Sequence, residues 1–204
     1  TARSLCLLDP KTSGTVKFLN PDTKKMESID EIDDDGKKIF RRNMQMIFQD
    51  PYESLNPRWS IKDIIKEPLD IHNIGALNDR EEAVVEILRT VGLTPPENYL
   101  SRYPHEISGG QRQRVSIART LIMKPKFVIC DEPTSMLDVS IRISIMDLML
   151  NLAKDLDVSY LYITHDLAVA RYMCNRIAVM FNGKIVEIAD TEDLLQNPIH
   201  PYTK

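Results

Sequence analysis

Apolar positions along the chain change period repeatedly, and each change marks an element. Thr1–Leu8 reads as a helix already under way, closing near Asp9-Pro10. Ser13-Gly14 turns into Thr15–Leu19, a short alternating strand that Asn20-Pro21-Asp22 ends. Lys24–Lys38 is polar, and its Asp33-Asp34-Asp35-Gly36 lacks the spaced oxygen ligands and closing Glu of a calcium loop, so it reads as a solvated surface turn. Met44–Gln49 has strand character and runs into the proline-punctuated Asp50–Pro57. Ile61–Ile71 has helical spacing. Asn78-Asp79-Arg80-Glu81 resembles a capping box opening a second helix through Val84, Val85, Ile87, Leu88 and Val91, which Gly92 and Pro95-Pro96 stop. Residues 60–102 therefore form a small helical insert.

Beyond the insert, Val115, Ile117, Ala118, Leu121 and Ile122 give a helical stripe, broken by Lys124-Pro125-Lys126. Phe127–Cys130 is continuously apolar, the pattern of a parallel strand buried on both faces. A helix is predicted over Ser140–Leu156 and a strand over Ser159–Thr164, with Asp166 capping the helix after it. Arg176–Phe181 and Lys184–Ile188 flank Asn182-Gly183 as a hairpin, and Thr191–Gln196 is a short helix. No internal repeat is visible.

Composition narrows the function classes. At 204 residues the chain suits one domain with a subdomain, and 43% hydrophobic with 27% charged residues is a soluble globular balance. A net charge of −4 argues against a general nucleic-acid binder. No apolar run is long enough to cross a bilayer, and no signal-like start is present. Cys6, Cys130 and Cys174 are odd in number and widely spaced among apolar neighbours, so they read as buried free thiols in a reducing compartment, with the cytoplasm the expected address. The helix under way at Thr1 and the stop at His200–Lys204 make the chain read as a piece of something longer.

Candidate chemistry gathers at four places. Ser108-Gly109-Gly110-Gln111 sets a hydroxyl and two glycines at a helix start, where free backbone N–H groups and the helix dipole suit a phosphate; the same Ser108 is also an ordinary N-cap. Asp131-Glu132 stands at the carboxyl end of a buried strand, the edge where open α/β sheets bind ligands, and two acids there call for a cation or a reaction. His165 ends the next strand in the same manner, and Gln49 ends a strand that leads into a movable loop.

Taken together these segments closely resemble the nucleotide-binding subunit of an ABC transporter. Gln49 matches the Q-loop, Ile107–Arg114 the ABC signature, Phe127–Glu132 the Walker B strand with its glutamate, Leu137-Asp138 the D-loop and His165 the switch histidine. Phe48–Arg58, Tyr103–Glu106 and Asn197–Thr203 resemble the oligopeptide/dipeptide/nickel importer branch. The resemblance implies an α/β fold: a P-loop NTPase-like core with a mostly parallel sheet and part of an antiparallel β subdomain over residues 1–59 and 103–204, and a helical subdomain over 60–102.

It also implies ATP and Mg2+ as ligands. Asp131 would hold the metal through water with Gln49 sensing it, Glu132 would polarise the attacking water, and His165 would contact the γ-phosphate. Two subunits would pair head to tail, as a homo- or heterodimer, with Ser108, Gly109, Gly110 and Gln111 of one facing nucleotide on the other and Asp138 connecting the sites. Permease subunits would dock on the Gln49 loop and the helical subdomain, placing the protein on the inner face of the cell membrane.

Two departures stand against the pattern. The glycine-rich phosphate loop ending in Lys-Ser/Thr is expected before Thr1, and without it this chain is expected to be inactive alone. Met136 stands where the family usually carries a small residue. Rival expectations are a non-hydrolysing module presenting its signature face, and a soluble ABC ATPase outside transport. Repair proteins of the latter kind need a long coiled coil between Gln49 and Ser108, where no heptads occur.

Overall fold

A computed structural model describes residues 2–21 and 23–204. Thr1, the first residue of the expected opening helix, and Asp22, the last of the expected Asn20–Asp22 turn, lie outside the described residues. The chain forms two compact units, residues 1–161 and 162–204.

The first unit opens with α1 (Ala2–Leu5) and an antiparallel pair, β1 (Lys17–Leu19) and β2 (Met26–Ser28), followed by α2 (Asp34–Asn43). Here the polar-turn expectation for Lys24–Lys38 is corrected. Asp33 is an N-cap whose carboxylate accepts from Gly36 N at 2.8 Å, and Asp34 and Asp35 fill the first turn, pairing with Lys37 and Lys38 at 3.0 and 2.8 Å. The carboxylates are helix-start chemistry. The helix is held by Phe40, which packs edge-on against Phe18 at 5.0 Å between centroids, with Ile29 completing the cluster.

β3 (Met44–Ile47) and β4 (Phe127–Asp131) pair in parallel, Ile47 opposite Cys130, and β5 (Ser159–Ile163) continues the order β3-β4-β5. Val128, Ile129 and Cys130 are fully buried, as a strand covered on both faces requires. Between β3 and β4 run α3 (Pro51–Ser54), α4 (Ile61–Ile71), α5 (Leu77–Thr90), α6 (Glu97–Leu100), a 3-10 turn at Pro104–Glu106 and α7 (Gly109–Leu121). The α5 cap sits two residues before the predicted one. Ala76 N donates to Asp79 at 3.1 Å, so Asp79, read as an early helical residue, reaches back over the first turn.

α7 is the hub of this unit. Its apolar face buries Val115, Ile117, Ala118 and Leu121 against α4, α5 and β3, and α8 (Val139–Asp155) packs alongside. Its arginines tie it to four neighbours. Arg114 donates to Val91 O at 2.5 Å and Ser144 Oγ at 2.8 Å, and Arg119 pairs with Glu67 of α4 at 2.7 Å. Arg112 reaches the segment after β3.

The second unit holds α9 (Leu167–Met173), the hairpin of β6 (Arg176–Phe181) and β7 (Lys184–Asp190), and α10 (Thr191–Gln196), packed around Ala170, Ile177 and Leu194. Asn182 and Gly183 both take positive φ, the conformation that the predicted two-residue turn needs. The three thiols are free as expected, but only Cys130 is buried; Cys6 and Cys174 are half-covered because each sits at a helix end.

Candidate nucleotide site

The parallel register of β3 and β4 sets the first half of the site. Two residues past the Ile47–Cys130 pair, Gln49 comes opposite Glu132, and its Nε2 donates to Glu132 Oε2 at 3.3 Å. Ser135 joins them: Gln49 Nε2 lies 3.5 Å from Ser135 Oγ, and Ser135 returns its hydroxyl and its backbone N–H to Glu132 O at 3.0 and 3.1 Å. Glu132 adopts φ +43°, the left-handed region that a residue with a long side chain avoids. Strain of this kind costs about 1–3 kcal/mol and persists where the surroundings enforce it, as at functional sites. The turn swings the chain off β4 and leaves Asp131 and Glu132 half-buried at the strand's carboxyl end.

The second half is the start of α7. Ser108 is its N-cap: Ser108 Oγ accepts from Gln111 N at 3.3 Å, and Gln111 Oε1 accepts from Ser108 N at 2.9 Å. Both readings of Ser108 therefore describe one geometry, because the cap holds an exposed hydroxyl at the positive end of a helix. Gln111 is turned back onto the cap and donates to Tyr99 OH at 3.3 Å. Gly110 is buried against α8, where a Cβ would lie 2.7 Å from Ile141 Cγ2. A Cβ on Gly109 would lie 3.8 Å from Leu137 Cδ2, so the D-loop leucine packs on the helix start. Met136 points outward at 64% exposure and leaves that packing alone. Asp138 is exposed at the N-cap of α8 and its backbone carbonyl accepts from Arg142 N at 2.8 Å.

His165 belongs to the second unit. It is exposed, two residues past the end of β5, and is followed by Asp166, whose carboxylate caps α9 by accepting from Ala168 N at 2.8 Å and Val169 N at 3.4 Å. Within the first unit the structure joins Gln49 to Glu132 and Ser108 to Gln111. Sequence reasoning missed Ser135, which links Gln49 to Glu132, and Arg112 and Tyr52, which join the two halves. No signal in the sequence singled out Arg112, which lies within the polar run Gln111–Arg114.

Fold and site together define an α/β cassette of the ATP-binding type. The chain belongs to the ABC transporter family, which it matches over residues 1–135. It is 48% identical over its whole length to the oligopeptide transport ATP-binding protein OppF of Bacillus subtilis, and 41% identical, again over its whole length, to the di/tripeptide transport ATP-binding protein DppF of Pseudomonas aeruginosa. It spans 65% and 60% of the lengths of these two relatives. Among solved structures it resembles a dimeric ATP-binding cassette in a post-hydrolysis state bound to ADP and Pi, with 28% identity and a TM-score of 0.76 over 93% of this chain and 78% of that one. The expected fold and the expected importer branch both agree with these findings. Among the described residues no helix is long and apolar enough to cross a membrane.

Proposed function

We propose that this chain is the catalytic cassette of a peptide importer, hydrolysing ATP held between two cassettes and driving permease subunits from the inner face of the membrane. The observation that carries the reading is the Gln49–Glu132 contact at the carboxyl ends of two parallel strands. Phosphoryl transfer to water needs positioned charge more than covalent chemistry, and a carboxylate oriented by an amide suits the activation of one water.

The residues fit a magnesium ion of the open kind. Mg2+ takes one or two carboxylates and fills its remaining positions with water and phosphate oxygens. Asp131 and Gln49 would hold it, and no group of three or more His, Cys, Asp or Glu residues that could form a closed cage occurs among the described residues. When bound, the ion neutralises charge on the β- and γ-phosphates. Glu132 takes the attacking water's proton, and Gln49 orients Glu132. Ser108, Gly109 and Gly110 act in trans, presenting their hydroxyl and N–H groups to nucleotide on the partner cassette, and Asp138 links the two sites. Gln111 supports this by closing the cap. The Gln49 segment and the helices between residues 61 and 100 receive the permeases.

The test is magnesium-dependent ATP hydrolysis by the full-length subunit, assembled with its permeases and challenged with peptides. Turnover that rises with peptide is the expected result. An assembled complex that binds ATP and never hydrolyses it overturns the proposal.

A further inference from the structure

Arg112 is a buried cation without an anion. It is 7% exposed, and among the described residues it has no carboxylate partner. Its Nη1 donates to Pro104 O at 2.9 Å and to Ile107 O at 2.7 Å, its Nη2 donates to the Tyr52 hydroxyl, and its guanidinium carbon lies 3.7 Å from the centre of the Tyr52 ring. Removing a guanidinium from water is costly unless each face and donor finds a substitute. Two carbonyls supply part of that here, and Tyr52 supplies a π face and an acceptor together. The charge thus makes the position of Tyr52 matter far more than its 61% exposure suggests.

Both partners are tied to the candidate site by hydrogen bonds. Asp50 accepts from Tyr52 N at 2.7 Å and holds the Tyr52 backbone three residues from Gln49. Arg112 N donates to Ser108 O at 2.9 Å, one helical turn from the cap, while its side chain holds the carbonyl just before Ser108. We infer that Tyr52 and Arg112 are positioning residues, a clamp that makes the Gln49 segment and the start of α7 move as one body. The pair acts on hydrolysis through Gln49 and Ser108–Gly110 and touches no nucleotide. Permease movement felt at the Gln49 segment is thereby delivered to the helix start that faces the partner's nucleotide. This inference rests on the proposed ATPase function.

The experiment compares Tyr52→Ala and Tyr52→Phe in the full-length assembled subunit, reading kcat, KM, ATP affinity and amide hydrogen exchange at residues 107–112. Misplacement of a reacting group by about 1 Å costs on the order of 10²-fold, so Tyr52→Ala is expected to lower kcat by about 10–100-fold with KM and ATP affinity within about twofold. Exchange at residues 107–112 speeds up, and Tyr52→Phe, which keeps the π face, recovers most of both. An unchanged kcat, a KM that rises in step with the loss, or a phenylalanine no better than alanine overturns the clamp. If the unmutated complex hydrolyses no ATP, the functional reading falls, and exchange alone decides the clamp: faster in Tyr52→Ala supports it, unchanged overturns it.

Discussion

Gln49 Nε2 stands 3.3 Å from Glu132 Oε2, joining residues 83 positions apart in the chain. The contact follows from strand register: a one-residue slip of β3 against β4 would turn Gln49 to the opposite face. It gives Glu132 one orientation, which a group taking a proton from a bound water needs.

Replacing that carboxylate by its amide isostere keeps the shape and removes the proposed base. Glu132→Gln in the full-length subunit should lower turnover by about 10²–10⁴-fold while ATP affinity stays near that of the parent. Steady-state hydrolysis and equilibrium binding of ATP check this, and turnover close to the parent's would remove Glu132 from its role.

Ser108 caps α7 and is proposed to face the partner's nucleotide, two roles that substitution can separate. Ser108→Ala loses the cap to Gln111 N and should cost about 1 kcal/mol of stability. Ser108→Asp keeps the cap but, under the proposed function, sets a negative charge against the partner's γ-phosphate, so thermal unfolding should stay near the parent while hydrolysis falls by at least about tenfold. Equal hydrolysis in the parent and the aspartate variant would confine Ser108 to helix capping.

Elements with a clean period were legible in the sequence: α4, α10 and the β6–β7 hairpin lie where Ile61–Ile71, Thr191–Gln196 and Asn182-Gly183 placed them. α2 was not, because its first turn is made of Asp33–Asp35, whose carboxylates read as solvent-facing until the N-cap bond to Gly36 is seen. The pairing of Gln49 with Glu132 was out of reach for a different reason. Chain order places each at a strand end, and only the Ile47–Cys130 register brings the two ends side by side. Arg112 was hidden by its company, since one arginine in Gln111-Arg112-Gln113-Arg114 reads as a solvated face and its Tyr52 partner lies 60 residues away.

Burial pushes the half-covered Cys6 thiol from 9.0 up to about 11. Desolvation disfavours the thiolate, so alkylation of Cys6 at pH 8 should run about 10–100-fold slower in the folded protein than in denaturant. The stability consequence has a definite sign. Below pH 9 both states keep the proton; between pH 9 and 11 the unfolded chain releases it first, so this thiol lowers stability as pH rises through that window. Removing the thiol by Cys6→Ala should flatten the decline of denaturation midpoints across the same range, and an unchanged slope would assign it to other groups.

Gly110 is needed for space. Its backbone lies in α7, where alanine is favoured over glycine by about 1 kcal/mol, yet a Cβ there would lie 2.7 Å from Ile141 Cγ2 on α8. Packing should win, because Ile141 is β-branched with few rotamers to retreat into and α8 is anchored by the fully buried Ile145 and Met149. Gly110→Ala is therefore expected to lower stability by about 1–3 kcal/mol despite the gain in helix propensity. Ile141→Ala removes the clashing methyl, and the double variant should recover part of the loss, with a coupling of about 0.5–3 kcal/mol in a denaturant double-mutant cycle. Additive single effects would mean that α7 and α8 separate freely at this point and that packing against Ile141 does not hold Gly110 in place.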